Sequence, residues 1–169
     1  DRMHFEDLGE NRIRVRNCDL TVKEGIHLGL GCTSREAANI VITESKDVNI
    51  NHVWMSRSHG MGVLAQKSEN ISIDQMVVQA KEGRLFSLNG DATHFVNCRG
   101  EVRVTNCRFS EQLDDALNVH GIFTQIVDKT DEYILVRYMH PDAKGINLFD
   151  SGSKFVVVDA LSVLPKGVY

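Results

Sequence analysis

Asp91–Gly121 reads DATHFVNCRGEVRVTNCRFSEQLDDALNVHG, and one short pattern stands at both of its ends. Asp91-Ala92-Thr93-His94-Phe95 returns 24 residues later as Asp115-Ala116-Leu117-Asn118-Val119. Between the copies runs Val102-Arg103-Val104, whose apolar-polar-apolar alternation marks a strand with one buried face. The same triplet signature occurs at Val48-Asn49-Ile50 and Ile71-Ser72-Ile73, and Ile13-Arg14-Val15 fits the template. The spacings from Val48 to Ile71 and from Ile71 to Val102 are 23 and 31 residues.

Flanking residues keep step with these triplets. Val41, Leu64 and Phe95 each precede a triplet by 7 residues, which predicts one interior column, continued by Val119. Asn17, His52, Gln75 and Asn106 follow at a fixed offset, with Cys18, Val53, Met76 and Cys107 one position on. A repeat of this length, too short to bury its own apolar face, predicts stacked coils. The expected fold is therefore all-β: a right-handed parallel β-helix over residues 1–121. The amide-rich column belongs at a bend. Helical periodicity is weak, and only Ser34–Asn39 offers a single turn, with Ser34 as its cap. Two prolines in the chain leave the coils uninterrupted. Beyond Gly121, Ile122–Val127 and Glu132–Tyr138 flank a polar turn, and Lys154–Asp159 is a further strand, so residues 122–169 are expected to form a partial antiparallel tail.

The longer spacing contains 8 extra residues, placed in Gln79–Asn89. Insertions in coiled repeats gather at bends on one face. This one leads directly into Asp91, so it is expected to form either a wall beside it, with Arg84 reaching in, or a solvated loop on which Arg84 is ordinary surface charge. Asp91 is expected to stack on Asp115, with Gly60 in the same slot one coil earlier and His59 lining the same face. His94 would stack on Asn118, and alternation turns His94, Asn118 and His120 outward. Asp114 adds a third carboxylate. Carboxylates one coil apart share protons as a unit, which is the raw material of acid–base chemistry. A ladder of turn-capping aspartates and a calcium site are the plainer alternatives, and adjacent histidines argue against calcium. Asp91, Asp114 and Asp115 are the candidate catalytic residues; Arg84, His94, Asn118 and His120 are candidate sugar-binding residues. Trp54 suits packing or sugar stacking equally, His27 and His52 suit structure, and His140 suits a turn.

Bulk properties narrow the classes. The 169 residues are 42% hydrophobic with a net charge of −4, enough for one core and without a basic footprint for nucleic acid. No apolar run has the length of a membrane span. Cys18, Cys32, Cys98 and Cys107 form no C-x-x-C pair, which argues against zinc and for small buried hydrophobes. Neither a metal nor another cofactor is expected.

GRLFSLNGDATHFVNCRG, RVTNCRFSEQLDDALNVHG and VRYMHPDAKG together resemble glycoside hydrolase family 110, bacterial exo-acting α-galactosidases that remove terminal α-1,3-linked galactose. The resemblance spans about residues 48–158. It implies a β-helix with accessory β-barrel modules, of which the tail would be an incomplete, barrel-like piece. It further implies an inverting mechanism, no metal cofactor, a galactose-terminated oligosaccharide or glycan as substrate, and a periplasmic or secreted enzyme. The family's acidic motifs map onto Asp91 and Asp114-Asp115. The chain is expected to be a fragment of such an enzyme. Two rivals are a carbohydrate-binding β-helix without turnover and a polygalacturonase-like inverting hydrolase. The latter needs basic residues such as Arg84, Arg99, Arg103 or Arg108 for uronate carboxylates.

Overall fold

The computed structural model describes residues 3–19, 21–29, 34–35, 37–140, 143 and 146–168. The chain divides into two compact units, residues 1–30 and 31–169. In the first, β1 (His4–Gly9) and β2 (Arg12–Arg16) form an antiparallel hairpin. Ile13-Arg14-Val15 thus belongs to a hairpin, not to a coil: Glu10 and Asn11 take left-handed backbone angles and reverse the chain between its strands.

The second unit is a parallel β-helix built on three sheets. One stacks β4 (Lys46–Asn51), β7 (Glu69–Asp74) and β10 (Arg99–Thr105). The next stacks β5 (Trp54–Met55), β8 (Val77–Val78) and β11 (Arg108–Phe109). The third stacks β3 (Ile40–Thr43), β6 (Val63–Gln66), β9 (Thr93–Val96) and β12 (Leu117–His120). The apolar triplets lie in register, Val48 on Ile71 on Val102 and Ile50 on Ile73 on Val104. They point into a core shared with Met55, Val78 and Met76. The described residues of 34–39 form no helical turn; Ser34, Ala37 and Asn39 are tied to other coils by hydrogen bonds described below.

Two bends per coil are made by residues with positive φ. Glu44, Lys67 and Asn97 occupy one column, and His52, Gln75 and Asn106 the other, all between 46° and 56°. The left-handed region suits Asn and His better than branched residues, which accounts for the amide-rich column. Asn17 also has φ of 55°, but it follows β2 in the hairpin unit.

The expected interior column is displaced by one residue. Leu64 stacks on His94, whereas Phe95 stacks on Ala65, which lies on Ile42. Val41 and Leu64 consequently face outward, and Val41 is 59% exposed. The displacement has a local cause. Arg99 pairs with Glu69 but Val102 with Ile71, so Gly100 and Glu101 together face Asn70 in a β-bulge. The shared 7-residue offset therefore counts one residue too few in the third coil, where His94 precedes Val102 by 8. Gly100 is required there: its φ is 67°, and a Cβ would lie 2.1 Å from the Asn70 Oδ1 atom that accepts the Glu101 N–H. Stacking partners along the third sheet are 23, 30 and 24 residues apart, so seven of the eight extra residues lie in the loop after β8 and the eighth is the bulge.

After β12 the strands pair antiparallel: β13 (Thr124–Lys129) with β14 (Ile134–Tyr138), and β15 (Val156–Val158) with β16 (Pro165–Val168). The expected antiparallel character of the tail holds, as two separate two-stranded ribbons. The loop between β14 and β15 is tied to a coil bend. Lys67, its side chain 12% exposed, bonds Asp150 at 2.8 Å and Glu44 at 3.3 Å. The Lys67 ammonium holds the Asp150 carboxyl below the usual carboxylate range, and Asp150 in turn raises Lys67. The signs fix a window. The lowered Asp150 value gives stability present above about pH 4 and lost in stronger acid; the raised Lys67 value gives stability lost only above about pH 10. Amides 146–153 should therefore lose protection from hydrogen exchange, corrected for intrinsic rates, as the pH falls below about 4. Constant protection through that fall would mean that the ion pair does not hold the loop.

Candidate active site

A single corner of the helix, between the β5–β8–β11 sheet and the β3–β6–β9–β12 sheet, carries the three acids. Asp91 precedes β9 and Asp115 precedes β12 in the next coil, and the Ala92 N–H donates to the Asp115 carbonyl at 2.8 Å. The expected stacking of the two Asp-Ala copies is thus present, as are Asn118 on His94 and Val119 on Phe95. One oxygen from each of Asp91, Asp114 and Asp115 lies within 4.8 Å of those of the other two. Asp91 is 2% exposed, while Asp114 and Asp115 face solvent.

The slots beneath them differ from expectation. The coil spacings place Met61, not Gly60, under Asp91, and they stack Gly60 on Gly90 below Asp114, so His59 is one position out of line. The contacts agree: a Cβ on Gly90 would come within 3.2 Å of the Gly60 carbonyl carbon. The cause is again the count, since the bulge residue had been absorbed into the corner.

Three carboxylates this close repel one another unless a cation intervenes. Arg35 supplies it. Its guanidinium pairs with Asp114 and lies 3.9 Å from the buried Asp91. Asn89 positions that arginine, its amide donating to the carbonyls of Ser34 and His59 at 3.2 Å each. Ser58 donates to the Ala37 carbonyl at 3.3 Å, and the Asn39 amide to the Arg57 carbonyl at 2.8 Å. Arg84, the arginine expected to reach the acids, is exposed in a turn, and its backbone N–H donates to the Lys81 carbonyl. Among the described residues it forms no ion pair. The turn at Glu82-Gly83 directs residues 81–85 into solvent, whereas the returning limb, Ser87–Gly90, is buried and laddered to Glu111 and Leu113. Stepping back through the coil spacings of the structure from Asp114 leads to Gly90, Gly60 and Ala37, two residues from Arg35.

The histidines are also brought in. His94 Nδ1 lies 2.6 Å from Asp91 Oδ2, and His94 Nε2 lies 2.8 Å from His120 Nε2. Asn118 stands above His94, partly buried. The three acids therefore have unequal surroundings. Asp91 is engaged by His94 and Arg35. Asp114 is engaged by Arg35 and by the Asp115 N–H at 3.0 Å. The Asp115 carboxylate has no hydrogen-bond or ion-pair partner among the described residues. An exposed, unengaged carboxylate beside two neutralised ones can accept a proton from a water or hold a hydroxyl.

Cys18, Cys98 and Cys107 are free thiols, with burial raising the Cys98 thiol above its usual range; Cys32 lies outside the described residues. Trp54 is 60% exposed on β5.

No family model matches the chain. Among curated proteins it is similar to alpha-1,3-galactosidase B of Phocaeicola vulgatus, 37% identical over 131 residues, covering 75% of this chain and 22% of that protein. It is 32% identical to alpha-1,3-galactosidase A of Bacteroides fragilis over 76% of this chain and 22% of that protein. It is 31% identical to alpha-1,3-galactosidase B of Akkermansia muciniphila over 97% of this chain and 21% of that protein. The chain thus spans about a fifth of the length of these relatives.

Proposed function

This chain is homologous to one segment of the alpha-1,3-galactosidases, and we propose that it carries the acidic part of a glycoside hydrolase active site that removes terminal α-1,3-linked galactose from glycans. The observation that supports this reading is the inequality of the three acids. A carboxylate-based hydrolase places its acids in unequal surroundings, so that they take different roles in the transfer of protons. Asp115 is the free group, and Asp91 and Asp114 are the compensated ones.

An inverting reaction requires an acid and a base separated by about 6.5–9.5 Å, with water between. The distance fixed in this cluster is between single oxygens, one from each acid, all within 4.8 Å of one another. Asp115 is assigned as the base for the attacking water. Asn118, outward above His94, is assigned to a sugar hydroxyl, which an amide reads as both donor and acceptor. The exported location implied by the resemblance, periplasmic or secreted, belongs to the same proposal.

The test is turnover of an aryl α-galactoside and of an α-1,3-linked galactosyl disaccharide by the complete protein, against polygalacturonate. Release of galactose from the galactosides alone supports the reading. Cleavage of polygalacturonate, or binding of galactosides without turnover, overturns it.

A further inference from the structure

We propose that His94 and His120 are a proton-holding pair that fixes the state of Asp91, not a pair of sugar ligands. The inference deepens the reading of this site as that of a hydrolase, and it rests on hydrogen-bond accounting along one line of atoms. His120 Nδ1 lies 2.8 Å from the Gly121 carbonyl oxygen. A carbonyl only accepts, so His120 Nδ1 carries a proton. In a neutral ring the other nitrogen is then an acceptor. That acceptor, His120 Nε2, lies 2.8 Å from His94 Nε2, so His94 Nε2 must be the donor. His94 Nδ1 faces Asp91 Oδ2 at 2.6 Å. If His94 were neutral and Asp91 ionised, two acceptors would meet at that distance. The contact is a bond only when one more proton is present, on His94 Nδ1 or on the Asp91 oxygen.

The surroundings favour keeping that proton. Asp91 is 2% exposed and the His94 side chain 14% exposed, so bulk water does not compete for the bond. The ring planes are 84° apart with centroids 4.9 Å apart, so the rings meet through their Nε2 atoms and do not stack. The register sets this arrangement: His94 and His120 are outward residues on adjacent rungs, two positions apart along the strand, so their rings converge diagonally. The other charged groups facing Asp91 are Arg35, with Nη1 3.9 Å away, and the carboxylates of Asp114 and Asp115. Arg35 pairs with Asp114, which leaves the unpaired Asp115 carboxylate as the net charge beside Asp91.

The consequence is a division of labour. Asp91, bonded through a shared proton to His94, is withdrawn from competition for the attacking water. His120, anchored on the Gly121 carbonyl, is a positioning residue that acts through His94. A sugar-ligand role would instead leave the histidine nitrogens free to point at hydroxyls.

The experiment is long-range proton–nitrogen NMR on protein carrying 15N-labelled histidine rings and 13C-labelled aspartate carboxyls, at about pH 8, where a free imidazole with its reference value of about 6.5 is neutral. The expected result is His120 protonated at Nδ1 only, together with either a doubly protonated His94 or a protonated Asp91. A singly protonated His94 beside an ionised Asp91 overturns the proposal, as does His120 protonated at Nε2. Two variants at this exposed position separate a proton relay from simple packing. His120→Gln keeps an acceptor for His94, and the shared proton should be lost at the same pH as in the parent. His120→Leu removes the acceptor, and the proton should be lost about one pH unit lower, the effect expected from one charge-assisted hydrogen bond. Identical titrations in all three proteins overturn the positioning role. No sugar enters these measurements, so their failure leaves the galactoside test standing, and inactivity on galactosides leaves the relay standing.

Discussion

Replacing Asp115 with Asn should lower turnover of an α-galactoside by about 10²–10⁴-fold, the usual worth of a positioned general base, with a far smaller change in KM. The substitution keeps the shape of the side chain and its ability to hold a hydroxyl, and it removes the charge and the proton acceptor. It disturbs little else, because the Asp115 carboxylate is exposed and its fold-holding contact is the main-chain carbonyl that receives the Ala92 N–H. Asp114→Asn is a different experiment. It breaks the ion pair with Arg35 and so frees the charge of that half-exposed guanidinium, and its effect should extend to KM. Kinetics of the complete protein, with folding checked by circular dichroism, decide the matter. A folded Asp115→Asn protein with near-parental turnover would make the acidic cluster a structural ladder.

The second large effect lies in the core. Phe95→Ala should cost about 3–5 kcal/mol of stability. Phe95 is fully buried and stacks on Ala65, the small residue that makes room for its ring. Truncation leaves a void that the alanine below cannot fill. Leu64→Ala is the matched comparison: Leu64 is outward and only partly buried, so about 1 kcal/mol is expected. Chemical denaturation of the two variants reports directly on the register. Equal costs would put both side chains in the interior and contradict the one-residue displacement.

That displacement shows where the sequence was readable. Val48-Asn49-Ile50, Ile71-Ser72-Ile73 and Val102-Arg103-Val104 carry the stacking of one sheet without ambiguity, because alternation reports which face is buried. The amide column at His52, Gln75 and Asn106 is equally legible, since left-handed backbone selects its residues. The bulge at Gly100-Glu101 is not, because an extra residue in one strand changes no alternation outside itself and merely shifts the count. Within the site, Asp91 and Asp115 announce themselves as one motif repeated at coil spacing. Arg35 does not, since its run of chain lacks alternation and a long side chain reaches its partners from two residues out of line. Arg84 is the converse case: it is near Asp91 in sequence and not in space, because a turn at Glu82-Gly83 leaves it in solvent.

The stack of β3, β6, β9 and β12 ends at β12 among the described residues, and burial is graded along it. Val63, Ala65, Ile71, Ile73, Met76 and Val78 on the middle rung are at most 1% exposed, whereas Leu117 and Val119 on the last are 50% and 58% exposed. Nearest-neighbour stacking makes such an array fray from its ends inward. Asp91 is anchored on the inner side of that gradient, and Asp114 and Asp115 ride on the rung that opens first. Mild heat or denaturant would therefore separate the acids while the inner rungs remain zipped, so the cluster has a melting point of its own, below that of the scaffold that carries it.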